Sequence, residues 1–520
     1  MHFRRLSIAA ALSASLILTG CTANGNDGAS GGENVSADKT PKLAMDGHEV
    51  IPDANGTGID ASAKFFEASD NVVVAGPDRE HQMRGAALAV DLGAPLLVRH
   101  PGTEEAIEAE IARLGADNVV EVPTDTSTTG DKDTSTTGDK DTSTTGDKDT
   151  STTGDESTYP NAEGQPQGDV AAIAALEPQK PLDLVMPTVF ATWETSRAAA
   201  ATARAAGADV QVLEVADPRV TSTSISAVTS GDVLALGQQW GSDENLRARA
   251  ELAANGELPG GGGLVFPGRR MIALYGHPYG PDLGVMGEQD AHAAAELAKE
   301  YASWYQPFEE APVIPAFEVI ATVASGGPGD DGNYSNETPI DHLVPYVDAI
   351  LDAGGYAVLD LQPGQASFLE QAKLYEDLLK RPNVGLALDA EWKLNPGEQP
   401  LSRIGSATSA EINEVADWLA ALVRENNLPQ KMLILHQFQL AMYPDRENIV
   451  TGQPELAWVL HADGHGVPGQ KFDTWNVLRE GLDPNFFMAW KNFIDEDTPT
   501  FSPEQTYADV NPRPWFVSYQ

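Results

Sequence analysis

The sequence is poor in cysteine, with a single such residue, Cys21, among 520. A lone thiol can form neither an intramolecular disulfide nor a cysteine-based metal site. The chain is also longer than one ordinary hydrophobic core requires, so we expect at least two folded domains.

Basic residues are scarce as well: 33 Lys and Arg stand against 77 Asp and Glu, for a formal net charge of −44. A surface of this sign repels nucleic-acid phosphates, so we expect no nucleic-acid partner. The glycine run Gly260–Gly263 is not followed by the Lys-Ser/Thr pair of a phosphate-binding loop. We therefore expect no bound cofactor.

Long apolar runs are few, and the clearest one, Ile8–Leu18, is too short to cross a bilayer. Two arginines precede it, and small residues follow it before Cys21. This order of a positive start, an apolar middle and small residues predicts a secretory signal peptide over residues 1–20.

The segment Leu18-Thr19-Gly20-Cys21 resembles the bacterial lipobox, Leu-x-Gly-Cys. The resemblance implies cleavage before Cys21, diacylglycerol on its thiol and acylation of the new amino terminus. Two or three acyl chains hold a protein on a membrane stably. We therefore expect a lipoprotein that is anchored through Cys21 on the extracytoplasmic face of the cell membrane. The alternative is an ordinary secreted protein with an incidental cysteine.

Composition divides the remaining chain into three parts. Residues 21–60 are poor in apolar side chains and are expected to form a flexible tether. Residues 61–268 alternate strand and helix patterns, and residues 269–520 do the same over a longer stretch. Between 125 and 156 the octapeptide Asp-Thr-Ser-Thr-Thr-Gly-Asp-Lys occurs three times, and a fourth copy ends in Glu. Because this array has no apolar side chain, we expect a solvated insert.

The first alternating part predicts parallel βαβ units. Its predicted strands are Asn71–Ala75, Ala94–Val98, Asn118–Val122, Leu182–Met186, Val210–Leu213 and Asp232–Leu236. The stretches Leu92–Val98, Glu194–Leu213 and Asp232–Gly237 resemble the type 2 cell-wall-binding repeat, which implies binding to the cell wall. The alternative is a generic α/β domain that spaces the rest of the chain outward.

The second part predicts a (β/α)8 (TIM-like) barrel, because eight strand patterns, most of them separated by helical stretches, fit its length. The predicted strands are Met271–Tyr275, Ala316–Val323, Tyr356–Leu361, Val384–Leu388, Met432–Gln437, Leu456–His461, Phe486–Trp490 and Trp515–Tyr519. Active sites of such barrels lie at the carboxyl ends of the strands, where polar residues gather here, Tyr275, Glu318 and Lys491 among them.

The fourth of these strands ends in Asp389-Ala-Glu391-Trp392. Residues two apart on a strand share a face, so Asp389 and Glu391 are predicted to point into the barrel mouth. Two such carboxyl groups suit glycoside hydrolysis, in which one keeps a proton and the other stays ionised. The candidate substrate contacts at the mouth are Asp360, Gln362, Trp392, His436, His461, Asp463 and Tyr519.

This Asp-x-Glu resembles that of family 25 lysozymes and of family 18 chitinase-like enzymes, although the latter have another Asp at the position of Ala387. The resemblance implies that Glu391 is the general acid and that Asp389 orients a substrate acetamide or stabilises the intermediate. The expected function is binding, and hydrolysis, of a cell-envelope polysaccharide. The alternative is a non-catalytic envelope protein that binds glycan or another protein.

A second pattern, His461-Ala-Asp463-Gly-His465, raises the possibility of a metal site together with His436. The glycines beside His465 favour a loop rather than a continued strand, so we expect substrate contacts from these residues and no metal.

The lipobox resemblance predicts the effect of Cys21→Ala. This variant should still be exported, but it should no longer be held by lipid, because the acceptor thiol is absent. Salt-washed membranes should therefore lose the variant and retain the parent protein. A variant that stayed wholly with the washed membranes would show that another feature retains the chain.

Overall fold

A computed structural model of the protein describes residues 40–123 and 168–520. The predicted signal peptide, Cys21 and the octapeptide array lie outside these ranges. Within them, no helix is both long enough and apolar enough to cross a membrane.

The first part of the described chain forms two parallel sheets, as the alternating pattern predicts. Its strands are β1 (Glu49–Ile51), β2 (Asn71–Ala75), β3 (Leu96–Val98), β4 (Asn118–Glu121), β5 (Thr188–Thr192), β6 (Asp209–Leu213) and β7 (Val233–Leu236). Its helices are α1 (Ile59–Phe65), α2 (Arg79–Leu92), α3 (Glu104–Leu114), α4 (Gly168–Ala174), α5 (Arg197–Ala206), α6 (Ser222–Ser230) and α7 (Asp243–Ala253). The strand orders are β3-β2-β4 and β1-β7-β5-β6.

Helix α5 lies at the centre of this part, and every one of its residues except Arg204 is buried. It contacts α1, α2 and α4 as well as strands of both sheets. Most of its side chains are alanine methyl groups, which let neighbouring elements approach closely. The alanine-rich composition therefore reflects packing on all sides of the helix.

Two expectations for this part were wrong. Leu182–Met186 is not a strand: Val185 is 47% exposed and makes a single bridge to Lys42. The strand lies at Thr188–Thr192, where β-branched and aromatic side chains are buried between β6 and β7. In addition, Glu49–Ile51, which falls within the predicted tether, pairs with β7.

The second part is a closed barrel of eight parallel strands, as predicted. They are β8 (Arg270–Gly276), β9 (Val313–Ala324), β11 (Tyr356–Leu361), β12 (Val384–Asp389), β13 (Lys431–Gln437), β14 (Leu456–Ala462), β15 (Phe486–Asn492) and β16 (Phe516–Tyr519), and the short β10 (Ser335–Glu337) pairs with β9. Around them lie α8 (Ala291–Tyr305), α9 (Ile340–Asp352), α10 (Phe368–Leu374), α11 (Glu376–Leu379), α12 (Ser409–Glu425), α13 (Pro468–Arg479) and α14 (Pro503–Asp509). Pairing of β8 with both β16 and β9 closes the barrel.

The α/β part contacts the amino-terminal end of this barrel. Phe266 packs against Phe487 and Trp515, with ring centroids 5.3 and 5.6 Å apart. The backbone N–H of Gln430, just before β13, donates to the carbonyl of Gly263 at 3.0 Å. These contacts are at the starts of strands, so the carboxyl ends face away from the α/β part.

The barrel interior is layered, because side chains two residues apart on a strand share a face. The lower layers are apolar and include Ala273, Val358 and Phe516. Two residues further along each strand, the next inward position is polar. This polar layer takes one residue from each of the eight strands: Tyr275, Glu318, Asp360, Asp389, His436, His461, Lys491 and Ser518.

Candidate active site

Every side chain of the polar layer is buried, with no residue more than 3% exposed. Burying an isolated charge costs far more free energy than a domain can supply, so charges at this depth have to be paired. The contacts within the layer show how that requirement is met.

A chain of ion pairs crosses the layer from one strand to the next. His436 donates from Nε2 to Glu318 Oε1 at 2.6 Å and from Nδ1 to Asp463 Oδ2 at 2.9 Å. The ammonium group of Lys491 lies 3.1 Å from Asp463 Oδ1. The same ammonium group lies 3.9 Å from the ring centroid of Tyr275. Glu318, His436, Asp463 and Lys491 thus form one ion chain of two anions and two cations.

The electrostatics of this ion chain favour its charged form. Burial acts to lower the pKa of His436, but Glu318 and the hydrogen bond to Asp463 raise it well above its ordinary value. Burial acts to raise the pKa of Asp463, but the charge of Lys491 and the bond from His436 hold it below its ordinary value. The pKa of Glu318 is lowered in the same way, against burial, by the charge of His436 and by the hydrogen bond from its ring.

His461 differs from His436, although the two rings are neighbours. Burial lowers the pKa of His461, so the ring is neutral in the neutral pH range. Its Nε2 lies 3.1 Å from Ser518 Oγ, and its Nδ1 lies 3.7 Å from Glu318 Oε2. His461 therefore supports the layer without adding a charge.

Two further carboxyl groups of the layer have raised pKa values. Burial raises the pKa of Asp360 to about 6, and Asp360 Oδ2 accepts a hydrogen bond from the Tyr275 hydroxyl at 2.9 Å. Burial, together with the charge of Asp360, raises the pKa of Asp389 well above its ordinary value. Asp389 is thus favoured in its neutral form. The sequence analysis expects one member of the Asp389 and Glu391 pair to stay ionised. Both of these carboxyl groups have raised pKa values, whereas the pKa of Asp463 is lowered.

Glu391 follows the layer on a single 3-10 turn, Ala390–Trp392. Asp389 starts this turn, since its Oδ1 accepts the backbone N–H of Glu391 at 3.1 Å. The side chain of Glu391 is half-buried, and burial together with the charge of Asp463 raises its pKa. Glu391 therefore holds a proton more strongly than an ordinary glutamate, and Asp463 is one cause.

Above the polar layer lies a cleft of about 420 Å³. Its wall combines the carboxyl groups of Asp389, Glu391 and Asp463 with the aromatic side chains of Tyr275, Trp392, Phe438 and Phe493. Of the other residues predicted at the mouth, Gln362 also lines the cleft, while Asp360, His436 and His461 lie beneath it in the polar layer. The cleft is open and lined by aromatic side chains, rather than filled by them.

Tyr519 is not brought to the mouth. Its neighbour Ser518 points into the barrel, so strand alternation turns Tyr519 outward against α8. There its hydroxyl lies 2.5 Å from that of Tyr305, and its ring centroid lies 4.7 Å from that of Tyr301. Tyr519 is a packing residue between the barrel and a helix.

The residues whose roles sequence reasoning missed are Glu318 and Lys491. Both were visible as polar residues near strand ends, but nothing in the local pattern assigns their partners. Lys491 stands between Trp490 and Asn492 in a buried strand. A lysine at such a position signals a buried counter-ion, which the structure identifies as Asp463.

Two groups of metal-type ligands occur among the described residues, namely Glu318, His436 and His461, and Asp389, His436 and Asp463. Both depend on His436, whose two ring nitrogens already donate to carboxylates. The positive charge that a metal would supply is provided by His436 and Lys491. His465 belongs to neither group; it lines the cleft, with its ring centroid 5.5 Å from that of Phe493.

No protein-family model matches the chain, and no curated protein matches it. Among solved structures, it is similar to an HpcH/HpaI aldolase from Desulfitobacterium hafniense DCB-2, at 12% identity and a TM-score of 0.24, over 49% of this chain and 86% of the other. A GH5 xyloglucanase of Bacteroides ovatus matches at 13% sequence identity and a TM-score of 0.22, over 40% of this chain and 58% of the other. A β-N-acetylhexosaminidase matches at 9% sequence identity and a TM-score of 0.27, over 56% of this chain and 76% of the other. Similarities this distant assign neither a family nor a reaction, so the function has to be argued from the site itself.

Proposed function

We propose that the barrel is a glycoside hydrolase that acts on a cell-envelope polysaccharide. The observation that carries the proposal is the pairing of Glu391 with Asp463 in one cleft. Burial and a neighbouring anion raise the pKa of Glu391, while Lys491 and His436 lower that of Asp463. Two carboxyl groups whose environments push their pKa values apart are what acid and base roles require.

In this mechanism Glu391 donates its proton to the glycosidic oxygen as the bond to the anomeric carbon breaks. The positive charge that develops on the sugar ring is stabilised by the carboxylate of Asp463. Asp463 stays ionised because its charge is balanced by two cations within the barrel. A water molecule completes the reaction at the anomeric carbon, and its remaining proton restores the acid.

Asp389 acts here as a positioning residue. Its carboxyl oxygen accepts the backbone N–H of Glu391, which fixes the turn that carries the acid. A neutral Asp389 also adds no charge that would oppose proton release to the substrate. Trp392 and Phe493 offer flat apolar faces on which sugar rings can stack, and Gln362 offers hydrogen bonds.

The remainder of the chain fits this role on the outside of a cell. A lipid on Cys21 would hold the protein at the membrane, and the α/β part would bind the cell wall. Its contact with the amino-terminal end of the barrel leaves the cleft clear for a polymer.

The proposal predicts opposite outcomes for two amide substitutions. Glu391→Gln removes the proton donor at nearly constant volume, and the rate should fall by about 10²- to 10⁴-fold while glycan binding survives. Asp389→Asn copies the neutral form of its carboxyl group and should keep most of the activity. The activity of both variants is measured by the release of fragments from purified envelope polysaccharide. An active protein with an unchanged rate in Glu391→Gln would remove the acid role, and a parent protein that binds glycan but releases nothing would be a non-catalytic binder.

The alkaline limb of the pH–rate profile should report Glu391. The protonated form donates, so the rate falls as the pH rises through the raised pKa of Glu391. Asp463→Asn removes an anion that raises this pKa, so the alkaline limb of its residual activity should move to lower pH. The control is Glu414→Gln, which removes one exposed charge on α12 and should leave the limb in place. An unmoved limb in Asp463→Asn would contradict the coupling between the two carboxyl groups.

A further inference from the structure

A second cavity adjoins the cleft at Glu391. It has a volume of about 270 Å³ and shares Glu391 and Trp392 with the cleft as a common wall. Asp463 lines the cleft but not this cavity. The acid therefore stands between two compartments, only one of which contains the ionised carboxylate.

The other side chains that line the second cavity are mostly aliphatic. They are Leu394, Pro400, Leu401, Arg403 and Ile404, all from the loop that follows the acid. Aliphatic walls bury apolar surface favourably, but they offer no hydrogen bonds to the hydroxyl groups of a sugar. The lining is therefore suited to an alkyl group rather than to another sugar ring.

Leu401 is unusual in two independent ways. Its side chain is 84% exposed, and its backbone φ of 63° lies in the left-handed region, which disfavours leucine. Turn chemistry alone favours glycine or asparagine at such a position. An apolar side chain held against both preferences, on the rim of a cavity, indicates that its surface contacts a ligand.

The loop that forms this cavity is fixed to the acid and braced internally. The backbone N–H of Gly405 donates to the carbonyl of Glu391 at 2.6 Å, and a Cβ at Gly405 would lie 2.4 Å from that oxygen. Within the loop, Glu398 accepts hydrogen bonds from Arg403 Nε at 2.9 Å and from the backbone N–H of Asn395 at 2.8 Å. The bond from Arg403 contributes most to lowering the pKa of Glu398 to about 2, so the charge of Arg403 is already balanced.

We infer that the second cavity is the leaving-group site and that the substrate is an amphipathic glycoside, a glycan joined through oxygen to an alkyl chain. The inference rests on the proposed function. The sugar whose anomeric carbon becomes positive has to lie beside Asp463, in the cleft. The group that receives the proton of Glu391 then lies on the other side of the acid, among the aliphatic side chains. Cleavage of the anomeric C–O bond releases an alkyl alcohol, and water supplies the new hydroxyl group of the sugar.

The first test examines the cavity without any sugar. The exported Cys21→Ala protein, labelled with ¹³C at leucine and isoleucine methyl groups, is titrated with 1-octanol and separately with the polyol erythritol. Octanol should shift the methyl signals of Leu394, Leu401 and Ile404 saturably, and erythritol should not. Leu401→Asn, which suits the left-handed backbone, should weaken octanol binding by about tenfold through lost apolar contact. Leu374→Asn, at an exposed leucine of α10, is the matched control and should bind octanol as the parent does.

The second test uses the octyl and methyl glycosides of the sugars that make up the envelope polysaccharide. The octyl glycoside should have a kcat/KM at least about tenfold higher, and Leu401→Asn should remove this preference. Equal hydrolysis of both glycosides, or no octanol shift at the loop, would overturn the leaving-group site and leave the hydrolase proposal standing. If the parent protein bound octanol but hydrolysed neither glycoside nor polysaccharide, both the leaving-group site and the hydrolase proposal would be overturned.

Discussion

The ion chain of Glu318, His436, Asp463 and Lys491 is the interaction on which the rest of the barrel mouth depends. Each of its members is almost fully buried, so removing one partner would leave an uncompensated charge, at a cost of roughly 3–5 kcal/mol. A fully paired chain is tolerated because every charge faces an opposite one within hydrogen-bonding distance. The residues come from three different strands and from the loop that follows a fourth, so this balance exists only when the barrel is closed.

The same constraint sets the protonation of the groups that line the cleft. With two cations already paired to Glu318 and Asp463, a further carboxylate at this depth has no cation of its own. Asp360 and Asp389 respond with raised pKa values, and Glu391, at the edge of the layer, responds in the same direction. Asp463, whose pKa is lowered, and Glu391, whose pKa is raised, thus face the same cleft. This asymmetry comes from the floor of the barrel rather than from the Asp-x-Glu pattern itself.

Much of this architecture could be predicted from the sequence, because buried parallel strands are continuous apolar runs. All eight barrel strands lie where such runs indicate them. The prediction failed where a short apolar run was not buried, as at Leu182–Met186, whose neighbour Thr188–Thr192 fills the sheet instead. The prediction for Tyr519 was wrong for another reason. Neighbouring residues of a strand point to opposite faces, so Ser518 faces the inside of the barrel and Tyr519 faces the outside.

Charge states could not be predicted in the same way. Asp389 and Asp463 are both aspartates near strand ends, and no local pattern indicates that the pKa of the first is raised and that of the second lowered. The difference in pKa depends on Lys491 and His436. Both of these cations are distant in sequence from both aspartates. The aliphatic cavity beside Glu391 could not be predicted either, because residues 394–404 have no regular hydrophobic periodicity. Their side chains line a cavity only because the loop folds back and Gly405 bonds to Glu391.

The protonation of the two buried histidines tests this account most directly. Imidazole nitrogen chemical shifts of the ¹⁵N-histidine-labelled protein, followed between about pH 5 and pH 8, distinguish imidazolium from neutral imidazole. His436 should remain protonated on both nitrogens across this range, while His461 should remain neutral over most of it. A neutral His436 at neutral pH would contradict the account, because Glu318 and Asp463 would then be buried anions without the cation that joins them.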